Sequence, residues 1–329
     1  MIVCPLMLES MLWPKIWGVR SLENQLGRSS PAGDRIGESW EIADLPEGVS
    51  RVAVGPAAGR SLHDVLVEWG TRLSGPAPLV DGRFPLLVKF LHAEDVLSVQ
   101  VHPDEQACEQ LGGGARVKHE AWYIVEARDD AVIYAGLRPG VTREQFADAV
   151  ADGTVADTLE RIPVRAGDCY YLPSGTVHAL GAGVVVAEIQ TPSDTTYRVF
   201  DWNRLGDDGK PRALHIEQAM MCIHFGEPPP SQQPLRHESD LWTTTTRLVT
   251  CRRFVIDKVR VTEGFERRLD VDQMAVWVVL GGRGQLKTTG LDDPIDIQAG
   301  RSLIIPAGVD ETVFAAETDC TWLAAAVPV

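Results

Sequence analysis

The sequence predicts a mainly β protein with helical insertions, built from a small β-barrel unit used twice. Three observations predict it. Gly (30) and Pro (21) cut the 329-residue chain into short apolar stretches. Most of those stretches are five to eight residues long and rich in Val, Ile, Leu and aromatics, the signature of strands. One pattern of strand and turn residues occurs twice, on either side of a Pro-rich segment.

In chain order, the strand stretches are LLVKFL, LSVQVH, AWYIVEA, AVIYAG, CYYLP, VVVAEIQ, FVIDKVRV, MAVWVVL and SLIIP. Helical patterns are fewer. Residues 61–73 are apolar at helical spacing, and 104–111 is short and polar-faced. Thr142 and Gln145 form a capping box ahead of FADAV, and LHIEQAMMCI (214–223) is the last helix. The stretch 226–240 (GEPPPSQQPLRHESD) has no periodicity and predicts a linker between a first domain, 1–225, and a second, 241–329.

The repeated pattern is Gly, five residues, Pro, one residue, Gly, two residues, then a polar side chain. It is Gly167, Pro173, Gly175 and His178 in one copy, and Gly300, Pro306, Gly308 and Glu311 in the other. Gly permits the turn, the strand rises to the barrel mouth, Pro and Gly reverse the chain, and the polar residue points inward. A Trp-bearing strand precedes each copy. Trp122 lies much farther before Gly167 than Trp277 lies before Gly300, and the extra residues cover roughly 142–160. The first unit therefore carries a helical insertion that the second lacks.

Lys plus Arg is 31 and Asp plus Glu is 46, a net charge of −15. An acidic chain with no basic stripe predicts no nucleic-acid partner and no anionic membrane surface. A locally basic pocket for a phosphorylated small molecule remains compatible with that charge. No run of about 18 apolar residues predicts a membrane span, and the N-terminus lacks the features of a signal peptide. Cys4, Cys108, Cys169, Cys222, Cys251 and Cys320 are scattered without a CxxC pair. Reduced thiols and a cytoplasmic location are expected.

Gln100 and His102 in LSVQVHP are two apart and share a strand face, as do Lys118 and Glu120 in VKHEAWY. His178 follows the Pro-Gly turn. Gln100, His102, Glu120 and His178 offer a mixed N/O set suited to one Zn²⁺ per chain, with Fe²⁺, Mn²⁺ and Co²⁺ as alternatives. No cysteine takes part, and open positions remain for substrate, the pattern of a catalytic site. In the second copy Ala275 stands where Glu120 would be and Glu311 where His178 would be. The strand-and-turn pattern therefore does not itself demand these ligands.

These residues resemble a cupin, a double-sheet jelly roll. More narrowly, the chain resembles the type I, zinc-dependent mannose-6-phosphate isomerases in their short bacterial form. The carrying stretches are KIWGVRSL, IGESWEIADLPEG, FPLLVKFLHAEDVLSVQVHPDEQAC, KHEAWYIVEA, YLPSGTVHALGAG, EIQTPSDTTYRVFDWNR and LHIEQAM, spanning 15–221. The chain departs from the family at Val19, where a second Gly is usual, and at Ala182, where a cupin Asn is usual. The resemblance implies two cupin-like jelly-roll barrels, the C-terminal one without metal ligands.

The resemblance also implies reversible conversion of mannose 6-phosphate and fructose 6-phosphate through a cis-enediolate. Arg198 matches the family's active-site arginine, and on an extended segment it shares a face with Asp194 and Thr196. Lys118 is the first candidate for proton transfer, and Asp194 the second. Lys89, Ser98 and Arg204 are candidates for phosphate contact. A sugar phosphate is the expected partner, and a monomer or homodimer the expected assembly. The competing readings are another cupin metalloenzyme of the dioxygenase type and a sugar-phosphate-binding cupin without catalysis.

Overall fold

A computed structural model describes residues 2–20, 34–206 and 209–329. The end of the KIWGVRSL stretch therefore lies outside the described residues. The chain is mainly β with few helices, and every stretch read above as a strand carries one.

Two large sheets are built from the first two-thirds of the chain. One has six strands, in the order Cys169–Leu172, Glu120–Ala127, Val184–Gln190, Leu87–Ala93, Ile36–Ile42 and Met11–Val19. The other has five, in the order Leu159–Pro163, Val132–Leu137, His178–Leu180, Val99–Val101 and Tyr197–Phe200. The last third supplies most of a seven-stranded and all of a four-stranded sheet. The strand Leu6–Met7 is the exception, because it pairs with Ser302–Ile305 at the edge of the seven-stranded sheet. Within the stretch read as a linker, Arg236–Ser239 is a strand paired with Thr243–Thr250.

Strand alternation explains how the layers hold together. In Leu87–Ala93, Val88 and Phe90 join a core shared with Ile256, Val276, Ile304 and Leu323 of the seven-stranded sheet. Leu91 and Ala93 point the other way, into a core with Ile133, Ala135 and Leu180 of the five-stranded sheet. Glu120–Ala127 alternates identically: Ala121 and Tyr123 face one core, Trp122 and Ile124 the other. A strand buried on both faces reads as a continuous apolar run, which is what these segments show. Burying a Leu- or Phe-sized side chain contributes about 1.5–3 kcal/mol. Lys89 and Glu120 are the buried charged interruptions, and Glu126, near the end of its strand, is exposed.

The repeat is visible in the strand register. Glu120 pairs with Leu172, the residue before Pro173. Ala275 pairs with Ile305, the residue before Pro306. The two copies of the pattern thus occupy the same place in their sheets. In the second copy Trp277, Phe314 and Trp322 pack together between the seven- and four-stranded sheets.

The helices follow their caps. Thr142 Oγ1 accepts the Gln145 N–H and Gln145 Oε1 accepts the Thr142 N–H, closing the capping box of Arg143–Asp152. That helix buries Phe146 and Ala149 and stops at Gly153 in the left-handed conformation. The 61–73 pattern forms two helices, Leu62–Trp69 and Thr71–Ser74, because Gly70 turns the chain at φ 53°.

Candidate active site and metal centre

The two sheets of the first part bring the motif residues together. Gln100 and His178 are register partners in the five-stranded sheet. Glu120 comes from the facing sheet, and His102 follows the Val99–Val101 strand. His102, Glu120 and His178 are all buried, and one ligand atom from each lies within 4.8 Å of the others. His102 Nε2 is 3.3 Å from Glu120 Oε2 and His178 Nε2 is 3.1 Å from Glu120 Oε1. The Gln100 amide nitrogen is 3.3 Å from His178 Nε2. A half-turn of the amide group presents Oε1 in its place.

These residues fit a metal ion. Two donors each about 2.1 Å from a Zn²⁺ at the tetrahedral angle stand about 3.4 Å apart, close to the spacings seen. The histidines are pre-oriented: Nδ1 of His102 donates to the Thr195 carbonyl at 2.9 Å, and Nδ1 of His178 to the Thr176 carbonyl at 2.9 Å. Each ring then turns its Nε2 lone pair toward the cluster. Burial first, and then the Lys118 charge, push His102 down to about 3, so its ring stays neutral. Neither Glu120 oxygen accepts a well-aimed hydrogen bond, although Lys118 Nζ stands 2.8 Å from Oε2. Burial would raise this carboxyl, but the charge of Lys118 holds it well below the usual range.

A polar pocket of about 260 Å³ opens beside this cluster. Of the residues singled out from sequence, Gln100, Lys118, Lys89, Ser98, Asp194, Thr196 and Arg198 line it. Arg198 pairs in register with Gln100, and its Nε donates to Ser98 Oγ at 3.3 Å. Lys89 is buried rather than reaching water. Its Nζ lies 3.3 Å from Asp194 Oδ1, 3.7 Å from Glu38 and 3.8 Å from Glu188. Lys118 Nζ donates to His102 Nε2 at 3.0 Å. Arg204 is placed differently and does not line the pocket. Its guanidinium is bonded to Asp201, Asp95 and the Val96 carbonyl. His119, between Lys118 and Glu120 in the chain, meets the Tyr171 hydroxyl at 2.8 Å.

Sequence reading missed Lys15, Glu38, Glu188 and Arg212, which also line the pocket. Glu188 carried a usable signal: a lone acid in an apolar strand, paired in register with Lys89. Burial, and then the nearby Glu120 charge, raise its pKa. Arg212 had none, since only the fold brings it to Asp201 and beside Arg198. Lys15 Nζ is 2.8 Å from Glu38. Burial would raise Glu38, but Lys89 and then Lys15 hold it at about 2, against 4.5 unperturbed. Its contribution to stability is therefore whole above pH 4.5 and fades as pH falls toward 2. Glu38→Gln should start less stable at neutral pH and lose less between those limits, read as urea midpoints along a pH series. An acid limb as steep as the parent's would show that Glu38 does not carry it.

A buried His–Glu–His set beside a pocket lined with Lys and Arg is the arrangement of a metal-binding enzyme for an anionic substrate. The sequence profile of the phosphomannose isomerase type I catalytic domain matches residues 6–128. The chain is 36% identical to mannose-6-phosphate isomerase of Streptococcus mutans, over 94% of this chain and 95% of that one. It is 33% identical to mannose-6-phosphate isomerase ManA of Bacillus subtilis, over 96% and 97%. The crystal structure of the Bacillus subtilis mannose 6-phosphate isomerase superposes with a TM-score of 0.88 at 31% identity, covering 98% of this chain and 100% of that one. The chain belongs to the type I phosphomannose isomerase family.

Proposed function

We propose that this chain interconverts mannose 6-phosphate and fructose 6-phosphate, using one Zn²⁺ held by Gln100, His102, Glu120 and His178. The observation that carries the reading is the meeting of those four donors beside a pocket that presents Arg198 and Lys118. Family membership supplies the substrate class.

When bound, the metal polarises the substrate's carbonyl oxygen and stabilises negative charge on it. The chain's own residues supply the rest. Lys118, beside the ligand atoms, is the group we assign to moving the proton between C1 and C2. Asp194, held by Lys89, is the second group able to do so. Arg198 offers a permanent charge and a rigid donor fork to the oxyanion of the enediolate. Ser98 and Lys89 are assigned to the phosphate. Arg204 lies outside the pocket and makes no such contact itself; through Asp201 it holds Arg212, which does reach the pocket.

We read the two sheet pairs as two cupin-like jelly-roll barrels: a catalytic part over 1–225, a connection over 226–240, and a ligand-free part over 241–329. Glu311, at the position of His178 in the second copy, is exposed and paired with Arg268 at 3.2 Å. Glu311→Ala should leave metal content unchanged by elemental analysis. Loss of metal there would move the site to the second barrel. Among the described residues no helix is long and apolar enough to cross a membrane, and we place the enzyme in the cytoplasm as a monomer or homodimer.

The direct test is a coupled assay for fructose 6-phosphate formed from mannose 6-phosphate, before and after chelation, with Zn²⁺ added back. Activity abolished by chelator and restored by metal is expected. A chain that binds Zn²⁺ stoichiometrically yet forms no product would overturn the isomerase reading while keeping the metal site.

A further inference from the structure

We propose that Asp104 and His224 form a clasp on the outer side of the metal-binding turn, making His224 a positioning residue for the ligands. The inference rests on the metal site proposed above.

The turn at Pro173–Gly175 ties three ligand segments together. The Gly175 N–H donates to the His102 carbonyl at 2.9 Å. Ser174 Oγ donates to the Lys118 carbonyl at 2.8 Å, two residues before Glu120. His178 itself follows Gly175 by three residues. Whatever fixes this turn therefore fixes His102, Glu120 and His178 relative to one another.

His224 lies against the other side of the same turn. Its backbone N–H donates to the Gly175 carbonyl at 3.0 Å. Its ring sits so close that a Cβ on Gly175 would come within 2.5 Å of it, and Gly175 has φ +85°. Glycine is needed here for both reasons. The ring is held in turn by Asp104, whose Oδ2 is 2.8 Å from Nε2. Asp104 is itself anchored, because Oδ1 accepts the Ala107 N–H and caps the helix Glu105–Leu111. Asp104 is only two residues past His102. The backbone link His102–Gly175–His224 and the side-chain link His224–Asp104 thus close a ring around the turn.

The clasp is placed where packing gives little support. A cavity of about 560 Å³ lies on this side of the turn, between Pro173–Val177 and the prolines at 228–230. His224 is carried there from a firm base. The helix Ile216–Cys222 just before it buries Ala219 and Cys222 in a core with Val99 and Val101, which flank Gln100. Metal affinity is sensitive to such outer supports, because ligand distances must hold to within about 0.2 Å. Losing one typically weakens binding about tenfold to hundredfold.

The test is Zn²⁺ affinity by competition with a chromogenic chelator, alongside melting of the metal-free protein. His224→Ala should raise the Zn²⁺ Kd by about tenfold or more and leave the metal-free melting temperature close to the parent's. His224→Gln, whose amide can donate to Asp104, should recover most of the affinity. A parent-like Kd in His224→Ala, with Zn²⁺ binding lost in Glu120→Gln, would overturn the clasp and leave the metal site standing. A Kd in His224→Gln as weak as in His224→Ala would also overturn it. A parent that binds no Zn²⁺, or a parent-like Kd in Glu120→Gln, would overturn the metal reading and the clasp together.

Discussion

Arg198→Ala will lower turnover about 10²- to 10³-fold, the loss expected when one preorganised donor to a developing oxyanion is removed. Metal content and fold should persist. The guanidinium's protein partners are Ser98 Oγ and the Ala213 carbonyl, neither of them a metal ligand. The loss should appear mainly in kcat, because charge on the enediolate develops only along the reaction. Arg198→Lys should recover little, since an ammonium keeps the charge but not the planar fork. Burial, and then the Arg212 charge, lower the guanidinium's pKa. Steady-state kinetics with metal analysis on the same preparation checks this. Turnover like the parent's would remove Arg198 from the mechanism.

Glu120→Gln will abolish tight metal binding and, with it, turnover. It removes the sole anion among the four donors, and a neutral amide cannot replace a carboxylate between two imidazoles. It also strands Lys118, whose Nζ is 2.8 Å from the carboxylate and buried with it. Breaking a buried pair by removing one partner costs about 3–5 kcal/mol. The variant should therefore melt well below the parent even when both are metal-free. The parent stripped of metal should stay folded, because Lys118 supplies the compensating positive charge. Elemental analysis and thermal melts of both proteins, with and without chelator, separate the two effects. Stoichiometric Zn²⁺ in Glu120→Gln would move the site elsewhere.

Much of this molecule was legible along the chain. Apolar runs broken by Gly and Pro marked the strands, since a strand between two cores has no polar face to show. Thr142 and Gln145 announced a helix because capping is settled within four residues. The spacing of Gln100 and His102, and the turn before His178, set out donors that the fold brings to one point. Lys89 stood out as a charge in an apolar strand, and its register partner is Glu188, an acid that the sequence reading passed over.

What the chain did not reveal depends on which distant segments meet. Arg204 and Arg212 are both exposed-looking arginines in sequence. Only the folded positions of Asp95 and Asp201 turn one away from the pocket and leave the other lining it. Lys15 and Glu38 enter the site because Met11–Val19 and Ile36–Ile42 complete the six-stranded sheet. Leu6–Met7 crosses to the other half, and both halves share a core. Sequence by itself marked many of the strands, the repeated turn and a candidate donor set, because each rests on periodicity and conformational limits spanning a few residues. The tertiary structure alone decided which charges face the pocket and what supports the metal turn from outside, because those follow from sheet order and layer packing between segments far apart in the chain.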